Sequence, residues 1–199
     1  NGLVSRAHGE VYRNEAATWQ RIRDFVLIRF PQVWRSTSIF TLVAFLCFAL
    51  PAIMAFIVSY RDPSKASLLF PGADGIVDQI KNHHEWWRDI NSGGRGSNAT
   101  LIMSNNILIT IKAFAGGVLL GLYAMYLMIF NGLMLGVIAG LSQFYDFSSR
   151  LWSFVAPHAP IELSVIFFAG GAGLQMGYAI IPPGLLTRAA ALREAADRA

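Results

Sequence analysis

The sequence predicts an all-α fold, a polytopic bundle of transmembrane helices preceded by an amphipathic interfacial helix. Of its 199 residues, 54% are hydrophobic and only 14% are charged, whereas soluble domains carry about 25% charged residues. The apolar residues are gathered into long runs, and the mean hydropathy is +0.46. Runs of about 20 apolar residues match a hydrocarbon core roughly 30 Å thick. We therefore expect the lipid bilayer to surround most of this chain.

The charge balance is basic, with a formal net charge of +4 and a pI near 9.5. Lysine and arginine beside apolar spans typically face the cytoplasm or anionic lipid head groups. We therefore expect no nucleic-acid partner. The single cysteine, Cys47, lies inside an apolar run, so an intrachain disulfide framework is excluded.

Residues 1–37 predict an amphipathic juxtamembrane arm, in which apolar residues recur at helical spacing between arginines. Trp19 and Trp34 mark its second half, and mixed aromatics and arginines are typical of interfacial helices. We expect this helix to lie on the membrane, with Pro31 bending the chain toward the bilayer. A docking helix for a cytoplasmic partner is the alternative.

Residues 38–60 predict the first transmembrane helix, because the run is uncharged and long enough to span. Residues 61–104 predict an extracytoplasmic loop with five basic and five acidic residues and a short amphipathic helix. Within the loop, Trp86 and Trp87 suit the membrane interface, where aromatic rings collect.

Residues 105–181 predict glycine-rich transmembrane helices in two to three segments. The runs at 107–130 and 161–181 are each long enough to cross. Asn131-Gly132 is a turn signal, and the shorter run at 132–144 is either a tilted crossing or a re-entrant segment.

Residues 182–199 predict a basic cytoplasmic tail, with three arginines against six in the arm and a loop that balances to zero. By the positive-inside rule the arm and tail are cytoplasmic and the loop lies outside. That orientation requires an even number of crossings, which favours residues 132–144 as a true span.

Small residues repeat every fourth position along three consecutive segments. Residues four apart share a helix face, so each ladder allows another backbone to approach closely. Such a face serves either packing within one subunit or a homo-oligomer interface, and the pattern leaves both open. The candidate helix-packing residues are Gly117, Gly121, Gly132, Gly136, Gly140, Ala169, Gly173 and Gly177.

His158 and Glu162 form the candidate polar pair, since they lie four residues apart at the start of the last span. Ionisable groups near a bilayer are costly and often functional. The pair is compatible with a structural hydrogen bond, with proton or ion coupling, or with metal chemistry. Because zinc usually takes at least three protein ligands and no third is evident, we expect no metal and no cofactor.

Enzymatic signatures are missing from the sequence, which contains no P-loop, nucleophile elbow or HExxH motif. We therefore expect a non-enzymatic protein without catalytic residues. An intramembrane hydrolase resting on His158 and Glu162 is the remaining enzymatic alternative.

Several segments, taken in order, resemble the stage II sporulation protein M family. They are Asn105-Asn106 with Ala113-Phe114-Ala115-Gly116-Gly117, Phe130-Asn131-Gly132-Leu133-Met134-Leu135-Gly136, Pro157-His158-Ala159-Pro160-Ile161-Glu162-Leu163, Ala169-Gly170-Gly171-Ala172-Gly173-Leu174 and Pro183-Gly184-Leu185-Leu186-Thr187-Arg188 with Ala191-Leu192-Arg193.

The resemblance implies a multi-pass protein of the bacterial cytoplasmic (inner) membrane. The family's namesake acts with peptidoglycan-degrading proteins during engulfment in spore formers, as their membrane anchor or recruiter. The arginine-rich and alanine-rich ends of this chain resemble relatives from bacteria that do not sporulate. Asn1-Gly2-Leu3-Val4 resembles an internal family segment, and members usually have a further span beyond the position of Ala199. We therefore expect the sequence to be part of a longer chain.

The sequence favours a membrane scaffold or anchor that organises envelope or cytoplasmic protein partners, with homo-oligomerisation as a further expectation. The alternative is a transporter or channel component with a proton-coupled or ion-coupled His158–Glu162 pair, because broken helices rich in glycine and proline are typical of transporters.

Overall fold

A computed structural model describes residues 19–85, 87 and 97–198. Within these residues the chain is helical and contains no strand, so the all-α prediction is confirmed. A π-helical turn, Phe25–Arg29, leads into the first long helix, and short 3-10 turns lie at Pro63–Lys65 and Gly116–Leu119. The α-helices are α1 (Phe30–Arg61), α2 (Ala66–Leu69), α3 (Ala73–Lys81), α4 (Ser97–Ala115), α5 (Leu122–Phe144), α6 (Ser148–Val155), α7 (Ala159–Ile180) and α8 (Arg188–Arg198).

The chain divides into two compact units, Asn1–Ser38 and Ile39–Ala199. The described part of the first unit is helical and places Trp19, with 71% of its surface exposed, and Trp34, with 43%, on the outside. The helix continues through Pro31, and the bend that we expected there stays a prediction. A π turn, Phe25–Arg29, comes shortly before Pro31, whose nitrogen has no hydrogen to donate to a carbonyl of the preceding turn.

Helix α1 ends at Arg61 because Asp62 and Pro63 start a new turn. The Asp62 carboxylate accepts hydrogen bonds from the Ser64 hydroxyl at 2.6 Å and from the Ser64 backbone N–H at 3.2 Å. The Ser64 side-chain bond, helped by Lys65, holds the pKa of Asp62 below its usual value. The end of the first long helix is thus fixed by an N-cap of the kind that aspartate favours.

The boundaries of the next two helices differ from our expectation of a crossing at 107–130 and a turn at Asn131-Gly132. The chain turns instead at Gly116–Leu119, followed by Leu120 and Gly121 in left-handed conformation with φ of 57° and 75°. Apolar residues flank this turn on both sides, so hydropathy alone does not reveal it. Residues 132–144 are therefore the second half of the continuous helix α5 and not a separate segment.

Asn131-Gly132 does not form a turn because both residues are satisfied inside a helix. The Asn131 side-chain amide donates to the Leu127 carbonyl oxygen one turn earlier, at 2.7 Å. Gly132 faces the backbone of Phe48 on α1, where a Cβ would lie under 3.0 Å from the carbonyl oxygen. The Asn-Gly dipeptide is a turn signal in segments whose backbone is exposed to water. Here the backbone of Gly132 contacts α1 instead of water.

Four long helices of the second unit alternate in direction. Phe48 meets Gly132 and Phe56 meets Gly140, so α1 and α5 run parallel. Gly173 of α7 lies beside Ala113 of α4 and Ala124 of α5. These contacts, with the Asn106–Glu162 bond described below, set α4 parallel and α5 antiparallel to α7. The 39-end of α1 and the start of α8 accordingly lie at one end of the bundle, and α2, α3 and α6 lie at the other.

The glycine ladder on α5, formed by Gly132, Gly136 and Gly140, packs against α1. A Cβ built at Gly140 would lie 2.6 Å from the Phe56 carbonyl oxygen, and those at Gly132 and Gly136 would be closer still to the carbonyls of Phe48 and Ala52. Real Cβ atoms essentially never come under 3.0 Å of another heavy atom. Only glycine allows α1 to lie this close along two turns of α5.

The remaining ladder residues bring α7 against the α4–α5 turn. A Cβ at Gly117 would lie 2.7 Å from the Gly173 carbonyl oxygen, and one at Gly177 would clash with the backbone nitrogen of Gly121. Ala169 packs against a buried apolar cluster that contains Phe48 and Met128. Each ladder glycine thus faces a helix of the same chain. Homo-oligomerisation stays a prediction, but the ladders no longer argue for it.

The elements at the other end form a cap over α5. Phe147 and Ile80 are fully buried there, next to Leu151 and Trp87. The Arg150 guanidinium lies 3.4 Å from the Glu85 carboxylate and connects α6 with the segment after α3. Of the loop expected at 61–104, residues 62–85 and Trp87 therefore fold back as a packed layer, whereas residues 97–104 already belong to α4.

Within the described residues, three helices are long and apolar enough to cross a membrane: Trp19–Arg61, Leu122–Phe144 and Ala159–Ile180. Length and composition alone support this statement. The first of them has 43 residues, about twice what one bilayer core requires. This leaves its N-terminal part available for the juxtamembrane position that the sequence predicts.

Gly136→Ala tests the α1–α5 contact. The added methyl group must push α1 away from its Ala52 backbone, and overpacking of this kind costs about 1–3 kcal/mol. We expect the melting temperature of the detergent-purified protein to fall by about 5 °C. Gly75→Ala on α3 is the matched control, because a Cβ there meets nothing within 4 Å. An equal effect of both substitutions would contradict the close contact.

Candidate functional site

A cavity of about 230 Å³ lies at the cap end of the second unit. Helices α1, α4, α5, α6 and α7 and the single described residue Trp87 all contribute to its wall. Most of the lining is apolar, and the polar exceptions are Asn106, Asn131, His158 and Glu162. An apolar cavity with a few converging polar groups is the usual form of a ligand site, which makes this the candidate functional site.

The local sequence explains how α7 presents the predicted pair. His158 is the N-cap residue, and Pro160 in the first turn has no N–H to leave unsatisfied. Glu162 lies in the same turn, where a carboxylate interacts favourably with the helix dipole. The Glu162 backbone N–H donates to the His158 carbonyl oxygen at 3.2 Å. The two residues therefore share the helix start and both line the cavity.

Their side chains take different partners. The Asn106 amide on α4 donates a hydrogen bond to Glu162 Oε2, while the His158 ring packs edge-on against Phe154 of α6 with centroids 5.3 Å apart. Among the ion pairs of the described residues, none joins His158 to Glu162. The sequence placed the pair on one helix but did not identify Asn106, whose only signal was its position in the Asn105-Asn106 segment.

Asn131 is the second amide that sequence reasoning missed. Its side chain is 8% exposed and lines the cavity, and its nitrogen is satisfied by the Leu127 carbonyl. The Asn131 side-chain oxygen can accept a further hydrogen bond. An amide inside a predicted apolar span is a signal for such a site, since a buried polar group needs a partner.

The tryptophans occupy different environments. Trp87 is 7% exposed and stacks on Phe154, with ring centroids 5.0 Å apart and planes 6° apart. It thus packs inside the cap, and its interfacial position stays a prediction; Trp86 lies outside the described residues. The interfacial positions of Trp19 and Trp34 stay a prediction.

Over the described ranges, no group of three histidine, cysteine or acidic side chains could hold a metal ion.

Asn106→Ala tests whether the Asn106–Glu162 bond holds α4 to α7. Hydrogen bonds to charged groups contribute about 1.5–3 kcal/mol, so we expect a clear drop in melting temperature. Glu162→Gln retains an acceptor and should cost less. The losses of melting temperature in the single variants Asn106→Ala and Glu162→Ala should not add up in the double variant, because the two side chains share one interaction. Ser164→Ala is the control, since Ser164 bonds only the Pro160 carbonyl of its own helix. Additive losses would show that the two side chains do not interact.

Comparison with curated proteins finds no match, and comparison with solved structures finds none. A protein-family model does match, and its description is stage II sporulation protein M. The match covers residues 43–199, which include α1 from residue 43 onward, all of α4, α5 and α7, the cap and the cavity. The resemblance inferred from the sequence motifs is thereby confirmed, and the chain belongs to the stage II sporulation protein M family.

Proposed function

We propose that this chain is a non-enzymatic scaffold of the bacterial cytoplasmic membrane, which anchors envelope proteins through its cap. In this proposal α1, α5 and α7 cross the bilayer, and α4, which is not one of the three candidate spans, crosses alongside α7. The four helices alternate in direction. Because the number of crossings is even, the arm and the tail lie on the same side of the membrane. The arginine distribution favours the cytoplasmic side. The cap then faces the envelope.

The observation that carries the proposal is the close packing of the helices. Backbones of α1 and α5, and of α4 and α7, approach through glycines, which leaves little room for a conduit. The buried polar side chains of the described residues are Thr37, Thr41, Ser59, Asn131 and Ser142, none of them charged. Ion pathways in membranes depend on chains of ionisable or polar groups, and these five do not supply charge.

The cap supports the same proposal because it is a folded surface and not an extended loop. Its core of Phe147, Ile80 and Trp87 is buried, so the outer residues are held in fixed positions. Leu68 on α2 is 83% exposed and Trp152 on α6 is 44% exposed. A rigid surface with exposed aromatic and aliphatic side chains is suited to contact another protein.

Site-specific photo-crosslinking in native membranes tests the scaffold. A photoreactive amino acid replaces Leu68 or Trp152 in the full-length protein, and adducts are identified by mass spectrometry. We expect both positions to capture the same envelope protein, because both lie on the cap. Ile57 on α1, 43% exposed and inside the first apolar helix, is the control and should capture none.

The His158→Ala/Glu162→Gln double variant should retain the adduct, since the scaffold uses the cap surface and not the pair. A chain recovered only with itself, or adducts that disappear in the double variant, would contradict the proposal.

A transporter or channel component is the second candidate, and the cavity favours it because Glu162 lies there beside two amides. When the purified protein is reconstituted in proteoliposomes, a transporter should give a pH-dependent flux of protons or ions. The Glu162→Gln variant should abolish this flux. Flux indistinguishable from empty vesicles would exclude this candidate and leave the scaffold.

A further inference from the structure

We propose that the cavity binds a small amphiphile with a positively charged ammonium group on an apolar body of about nine heavy atoms. This proposal goes beyond the scaffold function and does not depend on it. It rests on the charge of the lining, on the polar and aromatic side chains that line the cavity, and on its volume.

The charge of the lining selects a cation. Of its fifteen residues, Glu162 is the single carboxylate, and none is lysine or arginine. Glu162 is partly exposed, and a carboxylate beside apolar side chains is stabilised by a positive group or by hydrogen bonds. Glu162 receives one such bond, from Asn106. Its remaining acceptor capacity suits an ammonium group and repels an anion.

The second polar group is the Asn131 side-chain amide, whose nitrogen donates to the Leu127 carbonyl oxygen and whose oxygen is a hydrogen-bond acceptor. An ammonium has several N–H donors and needs more than one acceptor. Glu162 on α7 and Asn131 on α5 belong to different helices that line the same space. A ligand that bonds both would bridge α5 and α7.

Aromatic rings complete the recognition of a cation. Phe48, Trp87 and Phe154 line the cavity, and the stacked Trp87 and Phe154 rings are fixed by their mutual contact. The face of an aromatic ring attracts a cation within about 6 Å. The same rings also provide an apolar surface for the body of the ligand.

The volume limits the size of the ligand. A cavity of about 150 Å³ in another protein holds benzene, with six heavy atoms. By proportion, 230 Å³ accommodates roughly nine heavy atoms. The 2-phenylethylammonium ion has this size and combines one ammonium with one ring, so it is a suitable probe.

Part of the rim of the cavity lies at the α6–α7 junction, where Phe154, His158 and Ala159 are partly exposed. Lining residues on α4 and α5, such as Asn106 and Met134, are partly exposed as well, whereas Ile166 and Asn131 are buried. A ligand that enters beside His158 meets Glu162 in the same helix turn. The cap helix α6 forms one edge of this entrance.

Isothermal titration calorimetry of the full chain in lipid nanodiscs tests the proposal, with empty nanodiscs subtracted. We expect saturable binding of 2-phenylethylammonium, at least tenfold tighter than binding of the neutral 2-phenylethanol or the anionic phenylacetate. All three probes share the phenylethyl or phenylmethyl body, so the difference reports the charge.

Two variants locate the site. Glu162→Gln should weaken binding of the ammonium at least tenfold while it retains an acceptor for Asn106. Ala159→Phe should abolish binding by filling the entrance, with the melting temperature as a check on folding. Asp197→Asn, an exposed carboxylate on α8, is the control and should bind like the wild type.

Three results would overturn the proposal: no saturable binding, equal affinity for the neutral or anionic probe, or unchanged affinity in Glu162→Gln and Ala159→Phe. The scaffold proposal is judged separately by the photo-crosslinks on the cap.

The natural ammonium could belong to a lipid head group or to a free amine, and the lipid composition distinguishes the two. In nanodiscs of phosphatidylglycerol with added phosphatidylethanolamine, a head-group ligand competes and lowers the apparent affinity of the probe. Unchanged affinity relative to pure phosphatidylglycerol identifies a free amine.

Discussion

Helices surrounded by lipid cannot associate by excluding water from their apolar faces, because lipid tails are as apolar as leucine. What remains is direct backbone contact, and this chain achieves it through glycines. Gly132, Gly136 and Gly140 are each so close to a carbonyl of α1 that no side chain fits. Contacts of this kind also allow Cα–H···O=C interactions, worth about 0.5–1 kcal/mol each in general. The positions of the other helices follow from this constraint.

The same constraint accounts for the cavity. Helix α7 has its glycines between residues 170 and 177, where it touches α4 and α5 backbones, and none between 159 and 169. In that glycine-free half, larger side chains such as Leu163 and Ile166 hold α7 away from α5. The space between them is the cavity, and Glu162 and His158 face it. Helix α7 thus packs closely at its glycine-rich end and lies further from α5 at its other end, where the cap covers the space between them.

Much of this architecture could be predicted from the sequence. Hydropathy indicates which residues leave water, and four-residue spacing indicates which share a helix face, so the bundle, the ladders and the shared start of His158 and Glu162 were accessible. The turn at Gly116–Leu119 was not, because hydropathy does not record chain direction. The helical state of Asn131-Gly132, the bond from Asn106 and the burial of Trp87 depend on contacts between distant segments. No local pattern encodes them.

The most direct measurement is oxidative disulfide formation across the α1–α5 seam in native membranes, in a Cys47→Ala background. The Ser59 Cβ lies 3.1 Å from the Cβ position of Gly140, slightly inside the separation of about 3.5–4.5 Å that a disulfide requires. We predict that the Ser59→Cys/Gly140→Cys variant forms an intramolecular disulfide on mild oxidation. Ser59→Cys/Ile129→Cys, with the second site about 16 Å further along α5, should not. A Cβ at position 140 must displace the Phe56 carbonyl, so the test compares the yields of the two pairs. A disulfide between two copies of the chain, or an equal yield in both pairs, would contradict the account by showing that this glycine face does not pack against its own α1.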